Sequence, residues 1–149
     1  MASRRRLLAW LAALPAAWLA SRAAAREGRP LTAFAATGLE EALRAQYGDR
    51  ARVRDAALRI EALQSADNAA QVPLRIDAGS RPVLALALFA EHNPVPLLGH
   101  WRFGEGVEAW LALRIKLAAS GRVCAIAELA DGTLLYAETR VEVGTGACG

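Results

Sequence analysis

The sequence predicts an all-β sandwich of about seven short strands, led by a short N-terminal helix. Three observations carry this. Between residues 58 and 143 apolar side chains mostly alternate with period two, the repeat of a half-buried strand. Gly and Pro turns interrupt the pattern at roughly 10-residue spacing. Asp131-Gly132, set between two apolar runs, is a hairpin signal, because Gly reaches the positive φ that a tight turn between twisted strands requires.

The elements follow in order. From Leu31 to Tyr47 the residues Phe34, Leu39, Leu43 and Tyr47 recur every four or five positions, a helical spacing. Glu40 and Glu41 fall near its start, where the helix dipole favours acids, and Gly48 is a natural stop. The period then changes to two. Leu58, Ile60 and Ala62 alternate with Arg59 and Glu61. Val72, Leu74 and Ile76 straddle Pro73, Arg75 and Asp77, and Pro73, having no N–H to donate, places that strand at an edge or at its own start. Val83 to Phe89 is a continuous apolar run, and Leu97 to Phe103 is a further strand candidate. Trp110 to Ala118 and Arg122 to Leu129 are joined by Ser120-Gly121, and Thr133 to Val143 follows the Asp-Gly turn.

Ahead of the domain stands an export signal. Arg4, Arg5 and Arg6 precede an apolar stretch, Leu7 to Ala20, of about 14 residues, short of the roughly 20 that a helix needs to span a bilayer. Ala23 and Ala25 suit the small-residue subsites of a signal peptidase. Ser3-Arg4-Arg5-Arg6-Leu7-Leu8 fits a twin-arginine signal, the route for proteins exported already folded. The expected organisation is a signal over 1–25, a helical segment over 26–48, a sandwich over 49–143 and a flexible arm over 144–149, with no stable membrane span.

Removing Arg4, Arg5, Arg6 and Arg22 leaves 14 basic residues of the original 18, against 15 acidic ones. The formal charge of +3 therefore belongs to the signal, and a near-neutral domain lacks the clustered basic surface that a nucleic-acid partner needs. Nor does the sequence assemble an enzyme. His92 and His100 are its two imidazoles, neither in metal-ligand spacing, and both read as surface or turn histidines. No Gly-Xaa-Ser-Xaa-Gly elbow or phosphate-cradling loop occurs, and the carboxylates are scattered singly. No metal or cofactor is expected, and Trp101 and Trp110 read as core residues rather than as a dimer surface.

Two cysteines remain, in contrasting settings. Cys124 lies within Arg122-Val123-Cys124-Ala125-Ile126, where a free Cys acts as a small buried hydrophobe. Cys148 closes the tail Gly144-Thr145-Gly146-Ala147-Cys148-Gly149, whose small residues cannot pack a core. Five residues beyond Val143 reach about 17 Å when extended, so a thiol there could enter a partner's active site while the domain stays outside. A structural disulfide with Cys124, an intermolecular disulfide and a tail residue without a role are the alternatives. A free thiol titrates near about 8.5, and nothing in the tail is cationic enough to lower that, so reactivity would come from a partner's pocket. That fits a carrier better than an enzyme.

Several short motifs occur in order along the chain: Val72-Pro73-Leu74, His92-Asn93-Pro94-Val95-Pro96-Leu97, Leu113-Arg114-Ile115-Lys116-Leu117-Ala118, Asp131-Gly132-Thr133 and the tail Gly146-Ala147-Cys148-Gly149. In these the sequence resembles the Y subunit of the carrier of the bacterial sulfur-oxidising (Sox) system, across the whole mature chain. The resemblance implies an immunoglobulin-like sandwich and a periplasmic heterodimer with a smaller Z-like (SoxZ) subunit. It implies that Cys148 carries thiosulfate-derived sulfur covalently, and that Gly144, Thr145, Gly146, Ala147 and Gly149 form the slim carrier arm. It also implies three enzyme partners: a haem enzyme that ligates thiosulfate to the thiol, a manganese-dependent hydrolase that releases sulfate, and in some systems a molybdenum–haem sulfur dehydrogenase. The chain itself would bind no metal and catalyse nothing. It departs from the family pattern where Ala147 replaces a tail glycine, where the second final glycine is absent, and where Asp67-Asn68-Ala69-Ala70-Gln71 replaces Glu-Asn-Gly. A paralogue serving another sulfur substrate fits these departures. The competing reading is an exported interaction module with no covalent role.

Overall fold

The computed structural model describes residues 30–144. The signal over 1–25 and the arm residues Thr145, Gly146, Ala147, Cys148 and Gly149 lie outside the described residues.

Where the sequence suggests one helix there are two, α1 (Leu31–Ala35) and α2 (Leu39–Tyr47). The chain turns extended at Ala36 (φ −67°, ψ 144°). A new helix then starts, because the Glu41 carboxylate accepts the Thr37 N–H at 3.1 Å, satisfying a donor at the helix start that no turn of helix could reach. Leu39, Ala42, Leu43 and Tyr47 form the buried stripe of α2, and Gly48 (φ 62°) closes it by donating its N–H to the Arg44 carbonyl.

Nine strands follow: β1 (Arg52–Arg54), β2 (Arg59–Ala62), β3 (Ser65–Ala66), β4 (Val72–Asp77), β5 (Val83–Ala90), β6 (Leu97–Arg102), β7 (Trp110–Ile115), β8 (Gly121–Leu129) and β9 (Leu134–Val143). They form two sheets, one ordered β1-β9-β8-β5-β6 with β3 also on β9, the other β2-β4-β7. The predicted sandwich and its seven strands are present, and β1 and β3 are additions. Both pair with β9 in parallel, β1 along its first half and β3 at its end. The Asp131-Gly132 turn joins β8 and β9 in an antiparallel hairpin, with Gly132 at φ 85°.

Two connections differ from the simplest reading of the sequence. β7 stops at Ile115, and the chain then crosses from the small sheet to the large one, so β7 and β8 are not sheet neighbours. The Leu117 N–H leaves the ladder to bond the Ala69 carbonyl at 2.8 Å, while the Leu117 side chain enters the core. β4 is the central strand of its sheet, not an edge. Pro73 is tolerated because the β2 pairing begins only at Leu74, leaving Pro73 near the strand start with a neighbour, Arg114, on one side.

Side-chain alternation on β5 and β8 divides the core into two layers. Leu86, Leu88, Val123, Ala125 and Ala127 face the small sheet. Ala87, Phe89, Cys124 and Ile126 face the opposite way and pack with Leu39, Leu43 and Tyr47 of α2. The helices are thus a third layer over the outer face of the large sheet. Burial on both faces explains why Val83 to Phe89 reads as unbroken apolar sequence instead of alternating. Each large side chain so enclosed contributes about 1.5–3 kcal/mol relative to exposure.

Candidate functional site

The site is built around one pole of the sandwich, where β9 ends and the chain passes on toward Cys148. The last strand is stitched on both sides there. Val143 donates its N–H to Ser120 Oγ at 2.8 Å, Glu142 donates to the Gln64 carbonyl at 2.8 Å, and Gly144 donates to the Ala66 carbonyl at 3.0 Å. Fixed hydrogen bonds therefore run up to Gly144, the first residue of the proposed arm. The turn of His92 to Pro96 closes the same pole. Its Asn93 side chain donates to the Lys116 carbonyl and accepts the Ala118 N–H, both at 2.8 Å, so the Asn-Pro turn and the strand of Arg114 and Lys116 are locked together.

Glu91 anchors that turn to β8. Its carboxylate accepts Arg122 Nη2 at 2.9 Å and the Arg122 backbone N–H at 3.1 Å. These bonds hold the Glu91 carboxyl at about 2, well below its ordinary 4.5. The folded value lies below the unfolded one, so the stability gained from the pair is complete above pH 4.5 and is lost as pH falls toward 2. Urea midpoints measured across that window should therefore fall with pH, and Arg122→Gln should flatten this part of the profile while lowering the midpoint at pH 7. An unchanged profile in the variant would mean that Glu91 is not what titrates.

Arg122 also approaches Glu138, at 3.7 Å. Glu138 takes hydrogen bonds from Tyr136 and Arg54, which hold its carboxyl below the usual range. Tyr136 Oη in turn lies 3.5 Å from Cys124 Sγ. Cys124 itself is fully buried in the helix layer. Burial pushes its thiol up, against the opposing pull of the Tyr136 hydrogen bond. It is a protonated, sealed thiol and thus a poor nucleophile, in agreement with its reading as a small core residue. Any disulfide from Cys124 would first have to open the helix layer. Arg54–Glu138 and Glu91–Arg122 join segments far apart in the chain, whereas Arg122, Cys124, Tyr136 and Glu138 meet across the β8–β9 hairpin.

His92 is exposed in its turn, 3.8 Å from Glu91. His100 is half-buried on β6, and burial, with Arg102 acting in the same direction, holds its imidazole below the usual range. No group of three or more His, Cys, Asp or Glu able to hold a metal occurs among the described residues. Trp101 packs against the inter-sheet core as expected. Trp110 corrects the expectation: it is 47% exposed on the outer face of the small sheet, with the Arg75 guanidinium 5.2 Å from its ring centroid. Its position at the start of β7 turns it outward, and the cation over its ring takes the place of a core contact. No helix among the described residues is long and apolar enough to cross a membrane.

Fold and pole together define a class: an immunoglobulin-like β-sandwich whose last strand is pinned at one end and leads directly into a cysteine-bearing segment. The family described as sulfur oxidation protein SoxY matches residues 43–148, and the chain belongs to that family. Among solved structures it is similar to the sulfur carrier protein SoxY from Chlorobium limicola f thiosulfatophilum, at 21% identity and a TM-score of 0.64, over 72% of this chain and 96% of that one. It is also similar to a superoxide reductase (neelaredoxin) from Ignicoccus hospitalis, at 24% identity and a TM-score of 0.52, over 58% of this chain and 80% of that one. These structural likenesses show the shared sandwich. Comparison with curated proteins gives no match.

Proposed function

We propose that this protein is a periplasmic carrier of sulfur compounds, holding thiosulfate-derived intermediates on Cys148 and presenting them to the enzymes of a sulfur-oxidation pathway. The observation that carries the reading is that the family match runs through the last strand and the tail to Cys148 itself. Cys124, the other cysteine of the sequence, is buried with its thiol pushed up, which leaves Cys148 as the candidate for chemistry.

The chemistry asked of such a thiol is simple. Thiosulfate and the Cys148 thiol together lose two electrons and one proton to a haem enzyme, and a sulfur–sulfur bond forms between them. Water then cleaves the terminal sulfonate as sulfate at a manganese-dependent hydrolase, leaving a persulfide on the cysteine. A molybdenum–haem dehydrogenase can oxidise that remaining sulfane sulfur. In this scheme the chain supplies attachment and reach, its partners supply catalysis, and a Z-like subunit completes the carrier. Export by a twin-arginine signal would bring the folded domain to the compartment of those enzymes.

Intact-mass measurement of the natively purified mature chain, before and after a reductant, tests the reading. A reducible adduct of sulfur or thiosulfate mass on the C-terminal peptide is the expected result. A mass two units low, restored by reduction, would instead mean a Cys124–Cys148 disulfide. An unmodified Cys148 that resists thiol reagents would favour an interaction module.

A further inference from the structure

β7 is a free edge of the small sheet, with β4 on one side and no strand on the other. The ladder fixes which of its backbone groups face outward. The Ala78 N–H bonds the Ala109 carbonyl at 3.1 Å. In the antiparallel register that follows, Ala109, Leu111, Leu113 and Ile115 direct their N–H and C=O groups to β4. Trp110, Ala112, Arg114 and Lys116 direct theirs to the open side. Pro73 agrees with this assignment, because it stands opposite Arg114, at a pair that asks no N–H of it.

The chain itself closes both ends of the open side. The Glu108 carbonyl accepts the Trp110 N–H at 3.1 Å. The Asn93 side chain donates to the Lys116 carbonyl and accepts the Ala118 N–H, both at 2.8 Å, as a neighbouring strand would. Between these closures the N–H and C=O groups of Ala112 and Arg114 have no partner among the described residues. Edge strands are ordinarily blunted by brevity, charge, proline or a bulge. β1 has three residues, two of them Arg, β2 carries Arg59 and Glu61 in four residues, and a register shift breaks the ladder of β6. β7 has six residues in unbroken register, with no proline and one charge. It is an edge left unprotected.

The two sides of this window define what fills it. On the outer face stand Trp110, Ala112 and Arg114, with the Arg75 guanidinium over the Trp110 ring and Lys116 just past the strand end. Arg75, Arg114 and Lys116 have no ion pair among the described residues. On the inner side Leu111 and Leu113 are half-buried. Beside them an open cavity of about 470 Å³, lined by Leu98, Arg114, Ile115 and Lys116 among others, lies where β6 and β7 come together. Pairing two copies of β7 about Ala112 would set Arg114 of one beside Trp110 and Arg75 of the other, like charges brought close. A strand with carboxylates on its outer side and apolar side chains on its inner side complements both.

We infer that β7 receives an extended segment of a partner protein, of alternating acidic and apolar residues, as a fourth strand of the small sheet paired to Ala112 and Arg114. Main-chain hydrogen bonds supply the affinity, and the alternation supplies the selectivity. Asn93 sets the limit of the pairing, since its side chain already occupies the next site along the edge. The surface is separate from the attachment chemistry and does not rest on it.

The test uses the natively purified mature protein and two capped synthetic heptapeptides, one alternating Glu with Val and the other Lys with Val. Titrations followed by NMR give the affinities, and hydrogen exchange reads the amides of Ala112 and Arg114. At low salt the Glu–Val peptide should bind about tenfold more tightly than the Lys–Val peptide and slow exchange at both amides. At about 1 M salt, where the screening length shrinks to about 3 Å, the preference should shrink with it. Arg114→Glu should invert the preference, and Arg114→Lys should keep it. Ala112→Pro removes an N–H that β4 does not use, so it should weaken Glu–Val binding about tenfold with little change in melting temperature. Should the proline variant fail to fold, Arg114→Glu, at an exposed position, decides alone. Equal affinity for the two peptides, or Glu–Val binding undiminished in a folded Ala112→Pro chain, would overturn the proposal. So would unaltered exchange at Ala112 and Arg114 in about 1 mM Glu–Val peptide. Protection of these amides that rises with protein concentration in the absence of peptide would mean that a second copy takes the edge, and would overturn the acidic partner.

Discussion

Cys148→Ser should abolish sulfur loading outright and leave the melting temperature of the domain unchanged. A serine hydroxyl forms no appreciable anion at neutral pH and cannot make the sulfur–sulfur bond on which a carrier depends. The variant still contains Cys124, whose surroundings dictate its behaviour. It is fully buried between β8 and the helices, its thiol is pushed up by burial, and it should take neither cargo nor thiol reagent while the protein is folded. Mass spectrometry of tetrathionate-treated parent and variant reads both expectations at once. Loading that persists in the variant would mean that Cys148 is not the attachment point, and the carrier reading would fail on its central residue.

Phe89→Ala should be the most damaging of the core substitutions. Phe89 is completely enclosed, pairs in register with Cys124, and fills the layer between the large sheet and α2. Truncating a buried Phe costs about 3–5 kcal/mol, from lost transfer free energy and from the cavity left behind. That is a large share of the roughly 5–15 kcal/mol by which a domain is stable. Because the cavity would open beside Cys124, labelling of that thiol should accelerate together with the loss in urea midpoint. Leu84→Ala is the control, on the same strand but 44% exposed, and it should change the midpoint little. A Phe89→Ala chain as stable as the parent would mean that the helix layer does not cover the sheet as described.

The strands that the sequence predicts well share a physical property. β2, β4 and β7 have one face toward the core and one toward solvent, so their burial is written as alternation. β5 and β8 are buried on both faces, and they appear as apolar runs that reveal a strand without revealing what covers each side. The two strands missed carry neither signal. β1 is Arg-Val-Arg with all three residues exposed, and β3 is two residues long. Both exist because β9 offers its edge to them, a partner about eighty residues away in the chain. The break between α1 and α2 is local but subtle, since it depends on the Glu41 carboxylate reaching the Thr37 N–H.

The candidate site divides in the same way. Cys148 stands out from composition alone, because a cysteine among small residues after the last strand has no core to join. Arg114 and Lys116 are visible as part of a motif, but nothing in the motif says that they lack ion-pair partners among the described residues. Trp110 shows the limit of residue type as a guide, for an aromatic at a strand start can face a cation as well as a core.

By itself the sequence determined the all-β class, the β8–β9 hairpin and the contrast between an apolar-strand cysteine and a tail cysteine. These follow from side-chain periodicity, from the positive φ open to Gly132, and from the lack of bulk around Cys148. Only the tertiary structure decided that β4 is central, that helices seal Cys124, and that the Asn93 side chain ties its turn to the backbone of Lys116 and Ala118. Such facts depend on which distant segments meet. Meeting is set by the summed burial of both sheet faces and by the demand that every buried backbone group find a partner, neither of which any short stretch of residues contains.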